Sequence, residues 1–285
     1  MSIAAALYIV ATPIGNLADL SPRAVDVLRG ADVIAAEDTR HSRVLFNQYA
    51  IHTHCIALHE HNEAQVLDGL IERLRTRESV VLISDAGTPL ISDPGYRLVQ
   101  AAQRAGIRVI PVPGPSALIA ALSVSGLPSD RFIFEGFLPA KSVARRQVLE
   151  RLAHEPRTLI FYESPHRITE SLRDMAAVFG DGRRAVLARE LTKLYETVLN
   201  DTLQGLYERV QADANQQKGE MVLLVHGAET QAIDASGLMA ILEPLIDTLP
   251  LKQAVALAVK ISGVNKNRVY ETALKIKGLR PGSQD

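Results

Sequence analysis

Short apolar runs of strand length alternate with amphipathic stretches along the first 125 residues of the chain. In the amphipathic stretches the apolar residues recur every three to four positions, the spacing of a helix with one buried face. The predicted strands are 7–11, 32–36, 55–58, 80–84 and 107–111, and the clearest predicted helices are 22–29 and 63–77. Near-continuous apolar strands separated by helices are typical of a buried parallel sheet. We therefore predict a first α/β domain over residues 1–126, with a mostly parallel sheet.

Residues 127–228 also carry an α/β pattern, but its elements follow a different order. The predicted strands are 132–137, 158–163, 184–190, 196–199 and 221–225. Because the last three lie around a single predicted helix, 202–211, an antiparallel or mixed sheet is favoured over a parallel one. The pattern predicts a second α/β domain with a mixed sheet, followed by a short polar linker.

The tail, residues 237–285, has a helical pattern and a basic charge. Two predicted helices, 252–262 and 268–277, flank a short glycine-containing turn, which is the outline of a helix-turn-helix. Residues 251–280 hold seven Lys or Arg and one acid, although the whole chain has a net charge of −1. Such asymmetry favours binding to nucleic acid, and the alternative is a solvated helical cap on the main body. The candidate RNA-binding residues are Lys252, Lys260, Lys266 and Arg268.

The composition is that of a globular protein, with 285 residues, 47% hydrophobic and 22% charged. Cys55 is the only cysteine, which excludes an internal disulfide and a cysteine-based zinc site. No apolar stretch reaches the roughly 18 residues of a membrane span, and the first residues lack the pattern of a signal peptide. We therefore expect a soluble, cytoplasmic protein without membrane contact.

Three turns rich in glycine and proline, 12–16, 85–89 and 112–116, each follow a predicted strand of the first domain. Ligands of open parallel sheets bind beyond the carboxyl ends of the strands, where glycine lets the backbone approach them closely. Ordinary strand-to-helix turns favour the same residues, but three together predict the walls of one small-molecule site. Asp85 is suitably placed there to contact ribose hydroxyls or an ammonium group, its alternative role being a turn or helix cap.

Several familiar motifs are absent. The glycine fingerprints of dinucleotide and P-loop proteins do not occur, which disfavours a nicotinamide oxidoreductase. A Gly-x-Ser-x-Gly motif is also missing, so nothing points to an acyl-transfer triad. His59 and His61 supply only two potential metal ligands, so we expect no metal.

Seven stretches, in order, resemble the tetrapyrrole methylase superfamily, the class III S-adenosylmethionine-dependent methyltransferases. They are YIVATPIGNL (8–17), AEDTRH (36–41), SDAGTPLISDPG (84–95), PGPSA (113–117), GFLP (136–139), FYESPHR (161–167) and KGEMV (218–222). The similarity extends from about residue 7 to residue 227, and the basic tail also resembles part of this superfamily.

The resemblance implies two α/β domains with S-adenosylmethionine in the cleft between them, and a homodimer. Within the superfamily the resemblance is to members that methylate the ribose 2′-hydroxyl of a cytidine in small-subunit (16S) ribosomal RNA, near the decoding centre. The implied cofactor-binding residues are Pro13, Ile14, Gly15, Asp85, Gly87, Thr88, Ser116, Ala117, Tyr162, Ala188 and Met221.

A ribose hydroxyl is a poor nucleophile, so a residue that accepts its proton would assist the transfer. The candidates are Glu190, Glu163 and, provided that its pKa is lowered, Lys193. Two other functions stay open: methylation of a small tetrapyrrole-like molecule, which gives the basic tail no role, and RNA binding without catalysis.

Overall fold

The computed structural model describes residues 3–59, 61–229 and 234–278 of the chain. The chain divides into two compact units, Met1–Ala228 and Glu229–Asp285. Both predicted α/β domains therefore lie within the first unit, each with its own sheet. None of the helices in the described ranges is both long and apolar enough to cross a membrane.

The first sheet has five parallel strands in the order β3-β2-β4-β1-β5, as the pattern predicted. Its strands are β1 (Leu7–Val10), β2 (Val33–Ala36), β3 (Cys55–Ala57), β4 (Val80–Ile83) and β5 (Val109–Val112). The intervening helices are α1 (Pro22–Gly30), α2 (Thr39–Gln48), α3 (Glu63–Arg75) and α4 (Tyr96–Arg104). Side chains from α1 and α2 pack on one face and those from α3 and α4 on the other, so the strands are buried on both sides.

The second sheet is mixed, in the order β6-β7-β10-β8-β9. Only β6 and β7 are parallel, and the other neighbours are antiparallel, which confirms the predicted mixed sheet. Its strands are β6 (Phe132–Phe137), β7 (Thr158–Glu163), β8 (Arg184–Arg189), β9 (Thr197–Thr202) and β10 (Met221–Val225). One face packs on the helices α6 (Ser142–Leu152), α7 (Ile168–Phe179) and α8 (Leu203–Ala212).

The other face of the second sheet is covered by α5 (Ala117–Ser125), which follows β5 in the chain. This helix is apolar on almost every side, and its Leu118 and Leu122 pack with Ile160 and Val186 of the second sheet. Ile14, from the loop after β1, joins the same cluster. The boundary predicted at residue 126 thus falls after a helix that already packs on the second sheet.

Two predicted strands differ from the observed ones by more than one residue at one end. The strand predicted at 107–111 is β5, which starts two residues later because the Ile107 N–H donates to the Ala102 carbonyl and closes the end of α4. The strand predicted at 196–199 is β9, which continues to Thr202, whose hydroxyl caps α8.

The second unit consists of α9 (Ala235–Thr248), α10 (Leu251–Ser262) and α11 (Lys266–Ile276). Gly263 ends α10 in a left-handed conformation, and the Asn265 side chain caps α11, so the predicted glycine turn between two helices is present. Leu238, Leu242, Val255 and Val269 belong to a small core of this unit's own.

Candidate functional site

The carboxyl ends of β1, β4 and β5 border a cavity of about 410 Å³. The three glycine- and proline-rich turns meet here, since the N–H of Thr12 donates to the Gly87 carbonyl at 2.8 Å and Gly87 N–H donates back at 3.1 Å. Thr88 Oγ1 donates to the Pro115 carbonyl at 3.0 Å, which ties the second turn to the third. Gly87 has a backbone φ of +87°, a conformation that residues other than glycine rarely adopt.

Most of the residues predicted to bind the cofactor line this cavity. They are Ile14, Asp85, Gly87, Thr88, Ser116, Ala117, Tyr162, Ala188 and Met221. The remaining two, Pro13 and Gly15, line a smaller adjoining cavity of about 270 Å³. The sequence-based choice therefore corresponds to one continuous region of the structure, with walls from both sheets.

Three carboxylates lie at the first-sheet side of the larger cavity: Glu37, Asp85 and Asp93. Asp85 Oδ1 accepts a hydrogen bond from the Asp38 N–H at 3.0 Å, and the Asp85 N–H donates to Glu37 Oε2 at 3.4 Å. Burial, together with the charges of Glu37 and Asp85, raises the pKa of Asp93 to about 6. Sequence reasoning missed Asp93 as a site residue, although it lies in the same SDAGTPLISDPG stretch as Asp85.

The second sheet contributes an aromatic and apolar wall. The Tyr162 ring makes edge-to-face contacts with Phe134 and Phe137, with ring centroids 4.8 and 5.6 Å apart. Burial raises the pKa of Tyr162, and hydrogen bonds with the Leu118 backbone and the Ser116 side chain oppose part of this rise. Small and apolar side chains complete this side of the cavity: Ala188, Leu191, Met221 and Val222. This wall suits an apolar ring, and the carboxylates opposite suit a cationic or hydroxyl-bearing group.

Lys193 is held between two carboxylates at the edge of the smaller cavity. Its ammonium lies 3.0 Å from Glu190 Oε1 and 3.0 Å from Glu220 Oε2. Burial lowers the pKa of Lys193, but its hydrogen bonds and ion pairs with the two carboxylates outweigh that effect, and the pKa is raised overall. The condition under which Lys193 was a candidate base, a lowered pKa, is therefore not met. Lys193 is a cation here.

Glu190 lines neither cavity and serves mainly as a partner of Lys193. Burial tends to raise its pKa, but the hydrogen bond from the Glu220 N–H and the Lys193 ammonium prevail and lower it. A methyl group on Gly219 would lie 2.4 Å from the Glu190 carboxylate. Only glycine therefore allows the backbone at this position to pass so close to Glu190. Lowering the pKa weakens Glu190 as a proton acceptor.

Glu163 lines the larger cavity, but its carboxylate is already bonded within the protein. Oε1 accepts from the Ser164 N–H at 2.7 Å and lies 3.0 Å from Arg167, while Oε2 accepts from the Ser171 hydroxyl. The side chain is only 1% exposed. These contacts fix the turn between β7 and α7, and they leave Glu163 poorly placed to take a proton from a ligand.

The candidate RNA-binding residues all lie in the second unit, and all are exposed. Lys252 and Lys260 are on α10, whereas Lys266 and Arg268 are in the first turn of α11. Residues 251–278 carry one acid, Glu271, so the described surface of α10 and α11 is basic.

Comparison with known proteins extends the geometric findings. The family model of the tetrapyrrole (corrin/porphyrin) methylases matches residues 6–207, and the model described as "RsmI C-terminal HTH domain" matches residues 231–277. The chain is 57% identical over 279 residues to the ribosomal RNA small subunit methyltransferase I of Pseudomonas aeruginosa, covering 96% of this chain and 99% of that protein. It is 58% identical over 273 residues to the protein of the same name from Xylella fastidiosa, covering 95% and 99%.

Among solved structures, the fold is similar to the uroporphyrin-III C-methyltransferase of Thermus thermophilus complexed with S-adenyl homocysteine. The TM-score is 0.54 at 18% identity, covering 78% of this chain and 97% of that one. At that identity the likeness shows a shared fold. Taken with the match of the family model over residues 6–207, it follows that the chain belongs to the tetrapyrrole (corrin/porphyrin) methylases.

Proposed function

We propose that this chain transfers the methyl group of S-adenosylmethionine to small-subunit ribosomal RNA. The observation that carries the proposal is 57% identity over 96% of the chain to a protein named ribosomal RNA small subunit methyltransferase I. The finer assignment, to the 2′-hydroxyl of a cytidine near the decoding centre, rests on the motif resemblance.

The larger cavity fits the cofactor in size and chemistry. Its volume of about 410 Å³ is within the range of about 300–1,000 Å³ that is usual for small-molecule sites. The carboxylates of Asp85 and Asp93 favour the cationic end of S-adenosylmethionine, and the wall around Ala188 and Met221 favours the adenine. The other predicted contacts, from Ile14 to Ala117, would enclose the molecule between these ends.

When bound, S-adenosylmethionine supplies an electrophilic methyl group: its carbon–sulfur bond breaks with the electron pair left on sulfur, while the acceptor oxygen forms the new bond and releases its proton. The chain's contribution is then chiefly positioning, which can supply roughly 7–11 kcal/mol. Lys193 stays protonated and can donate a hydrogen bond to an acceptor oxygen, and Glu190 holds Lys193 in place. We assign Glu163 the role of fixing the wall of the cavity.

The second unit provides the charge for RNA binding in this proposal. Lys252, Lys260, Lys266 and Arg268 are exposed cations on two helices, and each phosphate contact would release counterions. Affinity for RNA should therefore fall steeply with salt. A ribosomal substrate implies a cytoplasmic protein, and the superfamily resemblance implies a homodimer, which light scattering would test.

The test is methylation of small ribosomal subunits from cells that lack this gene, with tritium-labelled S-adenosylmethionine. We expect label in the ribosomal RNA, and mass spectrometry of the digested RNA should locate it on the ribose of a cytidine. Label on a base would refute the 2′-hydroxyl assignment alone. Label on uroporphyrinogen III and none on subunits would favour the tetrapyrrole alternative. Binding of subunits without any transfer would favour an RNA-binding protein.

A further inference from the structure

The smaller cavity lies beside the larger one, and of the residues predicted to bind the cofactor only Pro13 and Gly15 line it without also lining the larger one. Its volume is about 270 Å³, and its walls come from the loop after β1, the first turns of α2, the end of β4 and two side chains of the second half, Lys193 and Glu220. A nucleoside-sized ligand fits such a space, which lies just below the range of about 300–1,000 Å³ for larger small-molecule ligands.

The two cavities share a wall. Ile14, Asp85, Ala86 and Glu220 line both of them. A group-transfer reaction needs its two reactants side by side, with the reacting atoms about 3–3.5 Å apart. Adjoining cavities with a common border provide that arrangement.

The lining of the smaller cavity is apolar on one side and polar on the other. Apolar contacts come from Pro13, Leu17, Val44 and Leu45, which suit the face of a heterocyclic ring. Polar groups complete the lining: Thr12, His41, Ser42, Ser84, Asp85, Lys193 and Glu220. The combination of an apolar face and hydrogen-bonding edges matches a base joined to a ribose.

Basic side chains accumulate next to this cavity, at the start of α2. Arg40 and Arg43 occupy its first turns and are exposed, and the Arg40 guanidinium lies 3.1 Å from the Asp38 carboxylate. Cations are unfavourable near a helix N-terminus because they oppose the helix dipole, by about 0.3–1 kcal/mol each. The Asp38 carboxylate partly compensates Arg40, and both guanidinium groups stay exposed to a polyanionic chain that passes over this surface.

Lys193 occupies the edge of the cavity with two of its three N–H donors engaged by Glu190 and Glu220. Within the described ranges the ammonium has no third hydrogen-bond partner. Gly15 allows this approach, since a methyl group there would lie 2.4 Å from Lys193 Cγ. The remaining N–H is therefore available to an acceptor oxygen on a ligand in the smaller cavity.

We infer that the smaller cavity receives the single nucleoside of the RNA that is to be methylated, turned out of its chain, with its ribose towards the border formed by Asp85 and Glu220. This inference rests on the proposed function and adds the place of the acceptor. The two carboxylates at the border are the ones positioned next to both ligands, and either can accept the hydroxyl proton as the new O–C bond forms.

Val44→Trp tests the inference by filling the cavity. Val44 lines it and is 64% exposed, so the larger side chain can be accommodated at the mouth without disturbing the core. The matched control is Val143→Trp on α6, since Val143 is 75% exposed and lines neither cavity. The chain has no tryptophan of its own, so each variant carries one indole whose emission reports its surroundings. Emission of the Val44→Trp indole should lie at shorter wavelength than that of the control.

We expect Val44→Trp to lower the single-turnover methylation of small subunits by about 10²-fold, the effect of a misplaced reactant. Binding of S-adenosylhomocysteine and docking of subunits should match the Val143→Trp control. Val44→Ala loses an apolar contact but leaves the cavity open, so it should lower the rate far less than Val44→Trp.

Equal rates for Val44→Trp and the control would overturn the inference, as would a parallel loss of S-adenosylhomocysteine binding, which would make the cavity part of the cofactor site. The proposed function fails in a different way: the unaltered chain would bind S-adenosylhomocysteine but leave subunits unlabelled. The nucleoside assignment would then fall with it.

Discussion

Asp93→Asn should raise the free energy of unfolding at neutral pH and lower the affinity for the cofactor. Asp93 lies half-buried in the larger cavity, where burial first, and then the charges of Glu37 and Asp85, raise its pKa from 3.8 to about 6. A carboxylate in such a place is a cost to folding that a cationic ligand can offset. The two effects of the substitution therefore have opposite signs.

The effect on stability follows from proton linkage. Between about pH 4 and pH 6 the folded chain keeps a proton on Asp93 that the unfolded chain has lost, so the free energy of unfolding falls as the pH rises through this window. A shift from 3.8 to about 6 corresponds to about 3 kcal/mol. Because the side chain is only half-buried and water screens its charge, we reduce this to about 1 kcal/mol. Asparagine removes the penalty, which is fully present above the folded pKa.

Urea unfolding at a series of pH values measures this effect. We expect Asp93→Asn to exceed the unaltered chain in stability by about 1 kcal/mol near pH 7.5, with the difference disappearing near pH 4. Asp68→Asn, at an exposed position on α3, is the control. The difference between variant and parent is the quantity to compare, because all groups other than Asp93 are common to both chains. A variant that is equally or less stable at pH 7.5 would refute the reasoning.

Calorimetric titration with S-adenosylmethionine supplies the second readout. Binding to the parent chain should strengthen as the pH rises through about 6, because Asp93 then becomes negative and attracts the cationic ligand. The affinity for S-adenosylmethionine should depend less steeply on pH in Asp93→Asn than in the parent chain. The same slope in both chains would place Asp93 away from the charged part of the cofactor.

Three further results are expected. Asp85→Ala should weaken cofactor binding by about 1.5–3 kcal/mol through loss of a charge-assisted contact, without unfolding the chain, and unchanged calorimetric affinity would remove Asp85 from the site. Lys193→Met should lower the single-turnover rate at saturating cofactor and RNA while leaving cofactor affinity near that of the parent, and normal turnover would reduce Lys193 to a structural charge. Reversing Lys266 and Arg268 to Glu should weaken subunit binding and reduce its salt slope by about 1 for each lost phosphate contact; an effect no larger than that of reversing the exposed Arg104 on α4 would contradict the role of the second unit.

The sheets and the main cavity were predictable because they depend on local pattern. Apolar strands that alternate with helices predicted the parallel sheet. The presence of only one helix among the last three strands predicted the mixed sheet, and both sheets are observed. Turns that follow parallel strands all emerge at the same edge, so the stretches around Ile14, Gly87 and Ser116 had to meet there. The packing of α5 on the second sheet was not predictable in this way, because an all-apolar helix does not indicate which neighbour it covers.

The roles of the charged residues could not be ranked from the sequence, because each depends on partners distant in the chain. Glu163 and Glu190 each stand at the end of a predicted strand and look alike in the sequence. In the structure Glu163 is enclosed by Ser171 and Arg167, while Glu190 is bonded to Lys193 and to the backbone of Glu220, thirty residues away. The identity of a proton acceptor is thus a property of the packed site.

Backbone strain explains why Ile91 and Leu191 were missed as residues of the cavity wall. Leu90 and Ser92 have left-handed φ angles of +74° and +69°, and so do Glu190 and Thr192, at +51° and +66°. Such residues cost of order 1–3 kcal/mol each and persist only where the surroundings hold them. Each pair flanks one apolar residue that lines the larger cavity, Ile91 in the first pair and Leu191 in the second. The backbone preferences of these residue types disfavour a left-handed conformation. A prediction based on such preferences therefore fails at these two loops, which come from the two halves of the unit and shape the cavity.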